Sequence, residues 1–113
     1  MNQKVRTVIF YKDYFEDFLQ EQRSQVRKKI FWTINLFEVL PIVPEVYLKH
    51  IEGTYGLYEM RVQVRSNAFR IFCFFDAGKL VVLANGFQKK TQKTPQKEID
   101  KALKIKIDYF DEQ

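Results

Sequence analysis

The chain has 113 residues, a length that suits one domain with one hydrophobic core and is too short for two. Hydrophobic residues make up 46% of it, including eleven Phe and six Tyr, which excludes a disordered chain. Its apolar runs fall far short of the roughly 20 residues that cross a bilayer, and its single cysteine, Cys73, excludes an internal disulfide. Because no signal-peptide pattern opens the sequence, we expect a cytoplasmic protein with no membrane partner and a buried, reduced thiol.

The net charge is +5 at pH 7, which favours a polyanionic partner: nucleic acid, an anionic membrane face or an acidic protein. Residues 61–97 contain eight Lys or Arg and one acid. The positive potential therefore belongs mainly to one segment.

The first part of the chain predicts one strand and two helices. Residues 4–10 are rich in β-branched and aromatic side chains and predict the strand. Asp13 and Glu16 have the spacing of a capping box, which predicts that a short helix begins there. A second amphipathic helix is predicted from Ser24 to the proline at position 41. We expect the two helices to form an antiparallel hairpin on one side of a sheet.

The second part predicts a connection, three strands and a last helix. Residues 41–56 contain two Pro and two Gly and predict the connection. Short turns separate the strands of an antiparallel meander at residues 57–64, 68–75 and 79–87. Thr94 and Pro95 have the pattern of an N-cap followed by proline at the first helical position. Residues 1–113 thus predict a single α+β domain with a four-stranded antiparallel or mixed sheet, an N-terminal helical hairpin and a C-terminal helix.

Strand alternation divides the side chains of this sheet between two faces. One face, predicted to cover the core, carries Tyr58, Met60, Val62, Val64, Phe69, Ile71, Cys73 and Phe75. The opposite face carries Glu59, Arg61, Arg70, Phe72 and Phe74. We therefore expect Arg61 and Arg70 to share a surface.

Residues 86–94, which lead out of the last strand, contain three Lys, two Thr and Phe87 and can run beside the two arginines. Guanidinium and ammonium groups bind phosphate, and Phe rings stack on unpaired bases. The segment predicts a surface for single-stranded RNA, with a solvated lysine-rich face as the ordinary alternative. Glu59 either orients Arg61 through an ion pair, the favoured role, or acts as a weak base. His50 has no visible acid–base partner and is predicted to be a surface residue.

No Cys or His cluster, glycine-rich phosphate loop or nucleophile elbow is visible, so the sequence predicts no metal site and no cofactor.

Four motifs resemble one known family: Leu57-Tyr58-Glu59-Met60-Arg61, Phe69-Arg70-Ile71-Phe72, Val81-Val82-Leu83, and the run from Gly86 to Pro95 with its Lys-Lys-Thr-x-Lys-Thr-Pro pattern. They resemble the HigB branch of the RelE/ParE toxin superfamily, also called phage Gp49-like, over nearly the whole chain. The resemblance implies a RelE-like fold and the toxin of a type II toxin–antitoxin pair. Such a toxin is an endoribonuclease that cuts messenger RNA in the ribosomal decoding site, and a HigA-like helix-turn-helix antitoxin neutralises it. One departure is Asn85, where similar sequences often have His.

RNA carries its own nucleophile, the 2′-hydroxyl, so the predicted reaction needs no metal. We expect Arg61 and Arg70 to hold the scissile phosphate and its developing charge. Lys89 or Lys90 is the predicted general base or acid, because neighbouring cations and partial desolvation lower the pKa of a lysine. The predicted RNA-binding residues are Phe72, Phe87, Thr91 and Lys93.

Two alternatives remain open at this stage, since fold does not fix function. The ParE branch shares the fold and poisons DNA gyrase by binding, so the chain could be a non-enzymatic inhibitor. It could also be a degenerate toxin kept for antitoxin binding or operator control. Whether induced protein first stops translation or first damages DNA separates the nuclease from the gyrase inhibitor.

Overall fold

The structure is a computed structural model that describes residues 3–113. These residues form five strands and three helices in the order β1 (Thr7–Phe10), α1 (Tyr14–Gln20), α2 (Ser24–Val39), β2 (Leu48–His50), β3 (Tyr58–Val64), β4 (Asn67–Asp76), β5 (Leu80–Lys89) and α3 (Gln96–Asp111). The strand order is β1-β5-β4-β3-β2, with β1 parallel to β5 and the other pairs antiparallel. The predicted α+β class, mixed sheet, helical hairpin and C-terminal helix are confirmed.

The sheet has five strands and not the predicted four. The additional strand, β2, lies in the segment that was predicted to be only a connection, and it pairs with residues 58–60 of β3. Its three residues are too few to show an alternating pattern in the sequence.

Both faces of the sheet cover a core. On one face α1 and α2 pack Phe15, Ile30 and Phe37 against the predicted core residues of β3 and β4. On the other face α3 packs Ala102, Ile105 and Tyr109 against side chains that were predicted to lie away from the core, Phe72 and Phe74 among them. Cys73 is fully buried, as predicted.

The predicted helix ends are partly wrong. Asp13 precedes α1 but its side chain makes no capping hydrogen bond, so the predicted capping box does not form. The residue that caps α3 is Pro95, one position after the predicted Thr94, and it also makes no side-chain cap. The structure has no helix within residues 3–113 that is long and apolar enough to span a membrane.

The register of the sheet explains where charged residues can lie. Helix α3 covers the end of its face that carries Leu57, Phe72, Phe74 and Val82. The same face continues beyond α3 along residues 61 of β3, 70 of β4, and 87 and 89 of β5. This open end is the part of the sheet on which arginine and lysine side chains can reach solvent.

Candidate active site

The open end of the sheet brings cationic residues of three strands together. Arg61 of β3 lies directly opposite Arg70 of β4, which in turn lies opposite Phe87 of β5. Lys89 is two residues further along β5, on the same face, opposite Ala68. Because like charges directly opposite each other are destabilising, this arrangement requires a counter-ion.

Glu59 supplies that counter-ion. Its Oε2 lies 2.9 Å from Nε of Arg61, which donates a hydrogen bond to it, and 3.4 Å from Nε of Arg70. Glu59 is 3% exposed, and the side chains of Arg61 and Arg70 are 26% and 12% exposed. The favoured ion-pair role of Glu59 therefore agrees with the geometry. One carboxylate facing two guanidinium groups leaves an excess positive charge available to an anion.

Lys89 lies at the edge of this ion-pair cluster. Its half-buried position lowers the pKa of its ammonium group, and the positive charges of Arg70, Arg61 and Lys49 lower it further, partly opposed by Glu59. Burial also lowers the pKa of Arg70, an effect that the Glu59 carboxylate opposes and the neighbouring Arg61 increases. A lysine in this environment releases its proton more readily than a solvated one.

Two clefts open onto the cluster. One, of about 350 Å³, is lined by Glu59, Arg61, Lys89 and Lys93 together with Lys49 and His50 of β2. The other, of about 450 Å³, is lined by Arg70, Lys89, Lys90 and Thr91. The structure thus brings all four predicted catalytic residues and two of the predicted RNA-binding residues to adjoining clefts.

The two aromatic residues that were predicted to contact RNA, Phe87 and Phe72, differ in exposure. Phe87 is half-buried and lines a separate cleft with Lys90, so one part of its ring is accessible. Phe72 is 0% exposed and lies under Phe87, with the ring centroids 5.7 Å apart and nearly parallel. The predicted RNA contact of Phe72 is therefore wrong, because its ring is part of the core beneath α3.

Sequence reasoning missed the residues that β2 contributes. Lys49 pairs across the strands with Glu59 and brings one more cation to the first cleft. His50 is exposed, as predicted, and its Nε2 is 3.1 Å from the carbonyl oxygen of Thr54. The sequence shows the basic run Leu48–His50, but its position beside Glu59 depends on strand β2, which was not predicted.

Asn85 is turned away from the cationic clefts. Its side chain is buried, and its Nδ2 donates to the main-chain oxygen and to Oε1 of Glu98, each at 3.3 Å. Asn85 thus ties β5 to the first turn of α3. No group of three or more His, Cys, Asp or Glu that could hold a metal ion is found in residues 3–113.

Residues 17–106 match the model of a protein family described as phage-derived protein Gp49-like. The matched range begins within α1, ends within α3 and contains every predicted site residue. A search of the curated proteins found no match.

Proposed function

Because the chain belongs to the phage-derived Gp49-like family, a RelE/HigB-type toxin family, we propose that this toxin is an endoribonuclease that cuts messenger RNA on the ribosome. The observation that supports this activity is the cluster of Arg61, Arg70 and Lys89 around one buried carboxylate. Its partner in the cell is an antitoxin, which we propose to be a HigA-like helix-turn-helix protein.

The proposed reaction uses the 2′-hydroxyl of the RNA as the nucleophile. Lys89 in its neutral form accepts the proton of that hydroxyl while the 2′-oxygen bonds to phosphorus. The bond from phosphorus to the 5′-oxygen then breaks, which leaves a 2′,3′-cyclic phosphate and a 5′-oxygen that takes up a proton from water to become a hydroxyl. Arg61 and Arg70 donate hydrogen bonds to the non-bridging oxygens, where negative charge accumulates in the transition state.

The roles of the remaining predicted residues follow from their positions. Lys90 is exposed at the cleft that it shares with Arg70 and Lys89, which suits a contact to a neighbouring phosphate better than proton transfer. Phe87 offers a ring on which an RNA base stacks. Thr91 donates a hydrogen bond to the main-chain oxygen of Lys93, and this contact holds the loop that carries Thr91 at one cleft and Lys93 at the other.

The test is to replace Arg61, Arg70, Lys89 and Lys90 singly by Ala and to measure growth arrest and cleavage of ribosome-bound transcripts. We expect a rate loss of roughly 100-fold for Arg61, Arg70 and Lys89, by analogy with the loss of other transition-state donors and bases. Lys104→Ala, an exposed lysine on α3, serves as the control and should keep full activity. Full toxicity in all four variants would refute the site, and arrest through DNA damage without transcript cleavage would indicate a gyrase inhibitor.

A further inference from the structure

A further cleft lies at the edge of β3, on the side away from β5. Strand β2 pairs with β3 only at residues 58–60, so no strand pairs with Val62 and Gln63 along that edge within residues 3–113. The resulting edge cleft has a volume of about 380 Å³ and is lined by Lys29, Tyr47, Arg61, Gln63 and Arg70, together with Val46 and Val62. It therefore shares both arginines with the proposed catalytic site.

Trp32 contacts two of the residues that line the edge cleft, Lys29 and Tyr47. The Nζ atom of Lys29 lies 4.4 Å from the centre of the Trp32 ring, a cation–π contact. The same ring meets the ring of Tyr47 edge-on, with 5.7 Å between the centroids. The main-chain oxygen of Tyr47 accepts a 2.8 Å hydrogen bond from the main-chain N–H of Arg61. Lys29 and Tyr47 are thus fixed relative to the arginines, although Trp32 itself is 44% exposed.

We propose that the edge cleft binds the nucleotide next to the scissile phosphate, with its base against the Tyr47 ring and its phosphate on Lys29 and Arg61. This inference rests on the proposed function, because it extends the path of the same RNA strand. Three cationic side chains and no acidic one line the cleft, and the half-buried aromatic ring adds a surface for a base. The edge cleft is lined by both Arg61 and Arg70, whereas each of the other two clefts is lined by one of them, so a strand whose phosphate contacts both arginines lies directly beside the edge cleft.

The experiment compares Lys29→Gln with Lys28→Gln in a cleavage assay on transcripts bound to purified ribosomes. Both changes remove one positive charge from α2, but Lys28 is exposed and does not line the edge cleft. We expect Lys29→Gln to slow cleavage at least roughly tenfold, the cost of a lost charged contact, and Lys28→Gln to stay within about threefold of the wild type. Tyr47→Ala should lose roughly 5- to 150-fold, as other stacking residues do, and its cut sites should lose base preference at one position beside the cut.

The outcomes separate this inference from the proposed function. If the wild type cuts RNA and the Lys29 and Lys28 variants are equally active, the edge cleft is not a subsite and the nuclease assignment stands. If the wild type cuts no RNA, both proposals are wrong. If Lys29→Gln cuts normally but escapes neutralisation by the antitoxin, the cleft binds the antitoxin and the RNA subsite is overturned. Because Lys29 belongs to neither hydrophobic core cluster and its ammonium group lies over the exposed Trp32 ring, the comparison remains decisive even if Tyr47→Ala fails to fold.

Discussion

At the scale of single residues, Glu59 supplies the negative charge that offsets the repulsion between the guanidinium groups of Arg61 and Arg70. Replacing Glu59 by Gln keeps its shape and removes the charge that both Arg61 and Arg70 contact. A mostly buried arginine without its counter-ion is costly, so we expect a loss of about 3 kcal/mol in the free energy of unfolding, measured by urea denaturation.

Glu52→Gln is the matched control for this change, because Glu52 is an exposed carboxylate in the loop between β2 and β3. It should unfold at the same urea concentration as the wild type within error. Equal midpoints for the two variants would show that Glu59 does not stabilise the arginine pair.

The lowered pKa of Lys89 predicts how cleavage depends on pH. If its neutral form is the base, the rate rises with pH and levels off above the folded-state pKa, which lies below the ordinary value for lysine. We expect Lys89→Gln to lose this rise together with roughly 100-fold of the rate. A wild-type rate that falls with pH over the same range would instead make Lys89 the acid.

The same shift has a consequence for stability. The unfolded chain binds the Lys89 proton more tightly than the folded chain does, so the protonated group costs stability below the folded-state pKa. That cost disappears as the pH rises from the folded-state to the unfolded-state pKa. At neutral pH Lys89→Gln should therefore melt at the same or a higher temperature than the wild type while its cleavage activity falls. A clear drop in melting temperature would contradict this explanation.

At the scale of elements, the contact between α1 and β5 depends on the absence of one side chain. A Cβ atom at Gly86 would lie 2.7 Å from Cδ2 of the buried Phe18 ring. Gly86→Ala should therefore cost about 1–3 kcal/mol of stability, as overpacked cores do. Thermal melting measures the loss, and adding Phe18→Leu to Gly86→Ala should recover part of it. If the double variant is less stable than both single variants together predict, the clash is not the cause.

The elements also show what the sequence could predict. Alternation along β3 and β4 was sufficient to place Arg61 beside Arg70, because a strand's side chains have a strict period of two. The same pattern could not show that α3 covers the other face, since Phe72 alternates in the same way whether its face is buried or open. Burial of Phe72 follows from the docking of Tyr109 and its neighbours, a contact between residues far apart in the chain.

At the scale of the whole molecule, the uneven coverage of the sheet creates the site. Helix α3 reaches one end of its face, and the other end retains Arg61, Arg70 and Lys89 from the cation-rich segment 61–97. The three clefts surround this end and share Arg61, Arg70 or Lys89. A net charge of +5 attracts RNA to the molecule from any direction, whereas this end of the sheet presents two guanidinium groups that contact one carboxylate.

RNA can be held by the overall positive charge or by the cations at the open end of the sheet, and the salt dependence of RNA affinity in charge-removing variants distinguishes the two. For single-stranded RNA, log affinity falls against log salt concentration with a slope of about −0.7 per neutralised phosphate. If the scissile phosphate on the arginine pair and the neighbouring phosphates on Lys90 and Lys29 are each neutralised, the slope for a short fluorescent RNA should be about −2 or steeper in an anisotropy titration. Lys90→Ala should make the slope shallower by about 0.7, whereas Lys104→Ala, which removes the same charge from an exposed position on α3, should leave it unchanged. Equal changes in both variants would mean that RNA is held by the overall charge and not by the end of the sheet.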